Sequence, residues 1–379
     1  MPAVPSSPVL LRGFRLAAVA LLATLGFAAR ADIVIGQVAP FTGPQAVTGQ
    51  AIHAGAKLYL DSVNAAGGVR GQKVKLVTRD DAQKPEDTVR LVKELIVAES
   101  PVAMIGTVGT ANLEALAKDG VLAKARMPMV GAVSGAASVA RAEGMFVVKA
   151  RYHDEVDRLF ENLTNLGLNR VGLVYQDDGL GQDVLAGANA AAQRRTVTLV
   201  DTASYARNTT DTSAAVTRML AAKPQAIFLG ATTAAAIDFV TRYRAAGGTA
   251  QLYGMSIIDP DLMLKKIGAI AARGYAFTTV LPLPADNKRA VVREYLALSA
   301  ESKDPNLSTR SLEGFIAAKA VVAALKRAAR LAPDAISEAL SAPEGMDVGN
   351  FPLNFSQKGR TGSAYVDFAM LGSDGKLVR

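Results

Sequence analysis

Val102-Ala103-Met104-Ile105-Gly106-Thr107-Val108-Gly109-Thr110 decides the fold. Four apolar residues, short enough for a buried strand, run into a turn carrying two glycines and two threonines. Apolar positions at helical spacing follow over Leu113–Ala125, and Met129–Val133 is a second apolar strand. The order strand, hydroxyl-bearing turn, helix, strand recurs in the second half of the chain. There Ala226–Leu229 leads into Gly230-Ala231-Thr232-Thr233, a helix over Ile237–Ala246 and a strand at Gln251–Tyr253. The repetition predicts two lobes of related design.

The flanking sequence continues the alternation. Ile33–Val38 is a short strand, and Pro40-Phe41-Thr42-Gly43-Pro44 is a turn. An amphipathic helix then runs to about Asn64, with Ala51, Ile52, Ala56, Leu60 and Val63 on one face, and Gly67-Gly68 ends it. Val74–Val77 is the next strand. Pro85 sits in the first turn of a helix whose apolar face carries Val89, Val92, Leu95 and Ile96. Phe146–Lys149 is a further strand. The pattern restarts at Arg170, with strand Val171–Tyr175, a polar turn Gln176-Asp177-Asp178-Gly179 and a helix through Val184–Ala192. Alternating strands and helices predict an α/β protein of two doubly wound parallel-sheet lobes. Such sheets bind ligands beyond the C-terminal ends of their strands, so two facing edges make a cleft.

Composition narrows the chemistry. The 379 residues include no Cys, no Trp and two His, His53 and His153. Disulfides, thiolate metal sites, Cys nucleophiles and attachment of lipid through Cys are excluded. A His-rich metal centre is excluded too. Lys and Arg exceed Asp and Glu by 42 to 34, a net charge of +8. Residues 1–31 hold Arg12, Arg15 and Arg30 and no acid, so the remainder carries +5. Its basic residues are interleaved with acids, as in Lys84-Pro85-Glu86-Asp87, without the basic stripe of a nucleic-acid reader.

The N-terminus reads as an export signal. Arg12 and Arg15 precede the uncharged stretch Leu16–Phe27, and Ala29-Arg30-Ala31 has the small-x-small pattern of a cleavage site before Asp32. The stretch is shorter than the ~20 apolar residues of a membrane span. Residues 1–31 are therefore expected to be a signal peptide. The mature protein is expected to be periplasmic, without stable membrane insertion.

Ser and Thr at the turns Thr107–Thr110, Val133–Gly135 and Gly230–Thr233 either cap helices or, with exposed N–H groups, bind a small anion such as a carboxylate. Catalytic signatures are missing. Val133 and Ser134 do not complete G-x-S-x-G, no phosphate-binding loop of the G-x-x-x-x-G-K type exists, and Gly179-Leu180-Gly181 lacks a third Gly. Asp177-Asp178 and Asp80-Asp81 read as solvated, turn-forming pairs. No cofactor, metal or enzymatic activity is expected.

Several stretches carry a family resemblance. They are Ile35-Gly36-Gln37-Val38-Ala39-Pro40-Phe41-Thr42-Gly43-Pro44, Asn64-Ala65-Ala66-Gly67-Gly68-Val69-Arg70-Gly71-Gln72, Asp80-Asp81-Ala82-Gln83, Met104-Ile105-Gly106-Thr107, Val174-Tyr175-Gln176-Asp177-Asp178-Gly179-Leu180-Gly181 and Leu353-Asn354-Phe355-Ser356-Gln357-Lys358-Gly359. In this order they resemble the type I periplasmic binding proteins of ABC importers, specifically the leucine/isoleucine/valine-binding group. The resemblance spans essentially all of Asp32–Arg379.

It implies three chain crossings between the lobes, near Lys149–Tyr152, Thr278–Pro282 and Gly345–Asn350. One lobe would comprise 32–149 plus 281–345, the other 150–280 plus 346–379. It also implies that ligand closes the lobes, and that a permease and an ATPase subunit are the partners. Among ligand residues, the resemblance places Thr110 and Ser134 at the carboxylate, with Gly135 beside them, Thr48 on the first loop and Tyr152 at the first crossing. Leu180 and Thr232 stand where the family has aromatics, and Ser256 where it has the acid that pairs with an ammonium. Asp259 or Asp177 would have to replace that acid. Two ligand classes remain open: an amino acid, or a small carboxylate, amide or aromatic acid without an ammonium. The alternative function is a periplasmic sensor that reports to a signalling partner.

Overall fold

The apolar runs pair into two sheets with the same strand order. The computed structural model describes Pro2, residues 31–356 and residues 361–378. Apart from Pro2 and Ala31, the expected signal peptide lies outside the described residues. The first sheet contains β1 (Ile33–Ala39), β2 (Val74–Asp80), β3 (Ala103–Ile105), β4 (Met129–Val130) and β5 (Met145–Phe146), all parallel, in the order β2-β1-β3-β4-β5. The second has a parallel core of β6 (Arg170–Asp177), β7 (Thr198–Ala206), β8 (Ala226–Gly230), β9 (Gln251–Gly254) and β10 (Ala276–Thr279), in the order β7-β6-β8-β9-β10. β11 (Met346–Asp347) and β12 (Pro352–Leu353) form a separate ribbon, and β13 (Asp367–Leu371) and β14 (Leu377–Val378) extend the second sheet antiparallel beyond β10.

Helices fill the crossovers. In the first lobe these are α1 (Ala46–Ala65), α2 (Pro85–Glu99), α3 (Thr110–Asp119), α4 (Val121–Lys124) and α5 (Ala137–Arg141). The second lobe has α6 (Tyr152–Asn165), α7 (Gly179–Arg195), α8 (Ser213–Ala222), α9 (Thr233–Ala245) and α10 (Pro260–Ala272). The chain then returns with α11 (Ala290–Glu301), α12 (Ser311–Arg327) and α13 (Pro333–Leu340). The helix expected over Leu113–Ala125 is two helices, because Gly120 adopts φ +76°, a left-handed conformation that ends α3. β7, which the sequence reading did not find, is an edge strand in which two of the nine residues are buried.

The chain crosses between lobes after β5, after β10 and between β12 and β13. Met346, Val348, Phe351, Leu353 and Phe355 pack in one cluster with Ile33, Phe146 and Val321. The segment around β11 and β12 thus belongs to the first lobe, because its apolar side chains are buried there. The return to the second lobe comes near Thr361, which bridges to Val147, and not at 346 as expected.

α12 seals the first sheet by lying against α1 at very close range. A Cβ on Gly55 would stand 1.8 Å from the Ser311 carbonyl oxygen, and one on Gly314 would stand 1.9 Å from that of Ile52. Both glycines are needed for the backbones to meet, and the contact buries Ile52, Ala56, Leu60, Leu312 and Phe315. Each of the larger side chains contributes about 1.5–3 kcal/mol by leaving water. Gly314→Val is expected to force the helices apart and cost about 3 kcal/mol or more, measured by urea unfolding.

Candidate functional site

The order β2-β1-β3 reverses chain direction across the sheet between β1 and β3, and β7-β6-β8 does the same between β6 and β8. Open α/β sheets leave a crevice at such points. The loops after these four strands face one another, and a cleft with ≈ 430 Å³ of atom-free space, part of it open to solvent, lies between them. From the first lobe, Gln45 and Thr48 follow β1, Gln83 follows β2, Val108 to Thr110 follow β3, and Val133 follows β4. From the second lobe come Tyr152, Gln176, Asp178, Leu180, Thr232 and Ile257. Arg310, just before α12, completes the wall.

The hydroxyls on the first-lobe side form a cluster. Thr110 Oγ1 and Ser134 Oγ share a hydrogen bond of 2.9 Å, and Ser134 Oγ also accepts the Ala136 N–H at 3.1 Å. Thr110 does not cap α3, since the cap position is Gly109 and no side chain caps the helix. The helix therefore presents unpaired N–H groups beside a buried hydroxyl pair, favourable for a carboxylate. Gly109 has φ +104°, and a Cβ there would lie 2.1 Å from Gln83 Nε2. The Tyr152 ring packs on Gly135, where a Cβ would come within 2.6 Å. Burial pushes the Tyr152 phenol up to about 12, against hydrogen bonding from Gly135, Ser134 and Thr110. Tyr152 thus keeps its proton at neutral pH.

Across the cleft, Asp178 caps α7 by accepting the Leu180 and Gly181 N–H groups at 3.0 and 3.4 Å. Its other oxygen accepts Gln176 Nε2 at 2.7 Å and lies 3.5 Å from Arg207 Nε. Burial raises its carboxyl pKa, and these donors offset part of the rise. Arg207 also reaches over the cleft to donate to the Gln83 carbonyl at 2.5 Å and to Asn112 Oδ1 at 2.8 Å. Ala137 N–H donates to Asp183 Oδ1 at 3.2 Å, and Ser308 Oγ to Asp259 Oδ2 at 2.7 Å. The lobes are thus latched on both sides of the cleft.

Behind it lies a buried charge cluster. Lys149 is 0% exposed and Nζ stands 3.3 Å from Glu313 Oε1, while Arg310 donates to Glu313 Oε2. Burial works against the Glu313 charge, but Arg310 and Lys149 hold its carboxyl below the usual glutamate range. Glu155 on α6 accepts from Ser256 N and Oγ at 2.9 and 3.0 Å and from Thr278 Oγ1 at 2.5 Å. Its burial raises its pKa, partly offset by these hydrogen bonds and by Lys149.

Thr48, Thr110, Tyr152, Leu180 and Thr232 line the cleft, and Ser134 and Gly135 stand directly behind it. Ser256 and Asp259 do not line it. Ser256 is held by Glu155, and Asp259 caps α10 through the Asp261 and Leu262 N–H groups while binding Ser308. Asp177 is exposed, whereas its neighbour Asp178 faces the cleft. Asp81 is not a solvated acid: it is fully buried and accepts Gln83 N–H, Thr88 Oγ1 and Asn112 Nδ2. Sequence reading missed Gln45, Gln83, Gln176, Asp178, Arg207 and Arg310. Asp178 carried a signal as the acid preceding a helix, but Arg310 had none, since it lies far along the chain from every other cleft residue.

The chain belongs to the periplasmic binding protein family, whose model matches residues 32–376. It is 27% identical over 368 residues to the Leu/Ile/Val-binding protein homolog 3 of Brucella melitensis, covering 96% of this chain and 98% of that one. A crystal structure of a substrate-binding periplasmic protein from Ralstonia solanacearum is similar with a TM-score of 0.88 and 42% identity, covering 92% of this chain and 99% of the other. A solute binding protein of an ABC transporter from R. palustris, solved in complex with benzoate, shares the fold at a TM-score of 0.80 and 19% identity, covering 92% and 95%. The type I two-lobed fold and the family expected from the sequence are both present. Among the described residues, no helix is long and apolar enough to cross a membrane.

The buried cluster generates a stability prediction. Glu313→Gln leaves Lys149 and Arg310 facing each other without their shared carboxylate and is expected to cost about 3–5 kcal/mol. Urea unfolding checks it, and unchanged stability would mean that neither cation depends on Glu313.

Proposed function

We propose that this protein is the extracytoplasmic solute-binding component of an ABC importer. It takes an amino acid or related small carboxylate into the interlobe cleft and delivers it to the permease. Residues 1–31 direct export to the periplasm and are removed. Import is driven by a separate ATPase subunit, and the binding protein itself carries out no reaction. The observation that carries this reading is the Thr110–Ser134 hydroxyl pair with Tyr152, placed at the uncapped start of α3 and facing the second lobe. A carboxylate there gains charge-assisted hydrogen bonds that water would otherwise supply. The ligand touches both lobes only when they are together, so binding favours closure by its differential contact with the closed state.

The reading is tested by thermal-shift measurement of the purified mature chain against L-amino acids and small carboxylates. At least one compound is expected to raise the melting temperature, as a ligand of the native state must. Thr110→Val is expected to weaken that compound by about 1–3 kcal/mol with the fold retained. A flat response across the panel would sink the assignment, and unchanged affinity in Thr110→Val would remove the hydroxyl pair from the site.

A further inference from the structure

Arg310 is the charged side chain in the cleft wall whose hydrogen bonding is incomplete. It is 6% exposed, its Nη1 is taken by Glu313, and its Nε is buried with no partner among the described residues. An unpaired buried donor on a cation carries a desolvation cost. Its carboxylate partner is also shared, because Lys149 reaches Glu313 as well. The acids around the cleft are already engaged. Asp178 is met by two N–H groups, Gln176 and Arg207, Asp259 by α10 and Ser308, and Glu155 by Ser256 and Thr278. Among the described residues, the acid that lines the cleft, Asp178, is engaged in this way, while Arg310 lines the same cleft and its Nε is buried without a partner.

We propose that the cleft selects a small dicarboxylate, with one carboxylate at Thr110, Ser134 and Tyr152 and the second at Arg310. This rests on the solute-binding reading above and names its substrate class. Guanidinium suits the role because its fixed fork meets a carboxylate with two parallel donors. Gln83, whose Oε1 is buried without a partner beside the cleft, accepts a hydroxyl or N–H carried between the two acid groups.

The test uses the full mature chain and matched probes. Aliphatic dicarboxylates of four to eight carbons and the benzene dicarboxylates are compared with their monomethyl esters and with α-amino monocarboxylic acids of equal length, by calorimetry. At least one diacid is expected to bind roughly 10- to 100-fold more tightly than its half-ester. Arg310→Gln is expected to weaken the diacid more than its half-ester and so erase that preference, and Arg310→Lys to restore part of it. Equal affinity of diacid and half-ester, or tight binding of the amino acids alone, overturns the dicarboxylate assignment and leaves the solute-binding reading standing. A preference that survives Arg310→Gln overturns the role of Arg310. If no probe binds, both readings fall. Should Arg310→Gln not fold, the wild-type pair and Arg310→Lys still decide.

Discussion

The contact between Lys149 and Glu313 is the constraint on which the two-lobed arrangement depends. Lys149 stands where the chain first leaves the first lobe, and Glu313 stands on α12, which the chain forms after its second crossing. Both side chains are withdrawn from water, at 0% and 1% exposure. Isolated burial of either charge would cost several kcal/mol, so neither can leave the other cheaply. On the second-lobe side, Glu155 performs a related task. It ties α6, just past the first crossing, to Thr278 on β10, just before the second. The first crossing is thereby tied to α12 on one side and to the second crossing at Thr278 on the other.

Apart from Arg310, what faces the cleft follows from the same strand order used twice. β2-β1-β3-β4-β5 and β7-β6-β8-β9-β10 each open a crevice next to their first strand. The three crossings hold the two crevices opposite one another. Turns that would otherwise be ordinary strand-to-helix loops become the two walls of one site. The helix starts matter because their N–H groups are unsatisfied within the helix. In α7, Asp178 satisfies them internally. In α3, no side chain does, and a buried hydroxyl pair stands beside the opening. α9, whose cap position is Thr232 in the second-lobe wall, has no side-chain cap either, and the proposed carboxylate site draws on the first-lobe opening because the hydroxyl pair stands there.

Much of this was legible in the sequence for local reasons. Strands and helices were readable because apolar spacing and Gly or Pro punctuation are local signals, as at Gly67-Gly68 and Pro85. Of the residues singled out in the sequence that line the cleft, Thr110 and Thr232 lie where a helix starts after a strand, and Thr48 lies in the first turn of α1. Those misread depend on side-chain direction or on distant partners. Asp177 and Asp178 are adjacent, and only the one that turns back to cap α7 reaches the cleft. Asp81 looked solvated because two adjacent acids usually are, but Thr88 and Asn112 surround it from helices that come later. Residues 346–355 looked like the return to the second lobe, yet their apolar side chains find their cover in the first.

The amino-acid sequence by itself determined the α/β class, the duplicated lobe design, the absence of thiol chemistry and the hydroxyl-bearing turns. Each of these is set by composition or by spacing over a few residues. Only the tertiary structure decided which acids are spent on caps and latches, and that Arg310 stands in the cleft wall with an open donor. These outcomes depend on which residues meet across the three crossings, and contacts between segments more than a hundred residues apart leave no periodic trace in the chain.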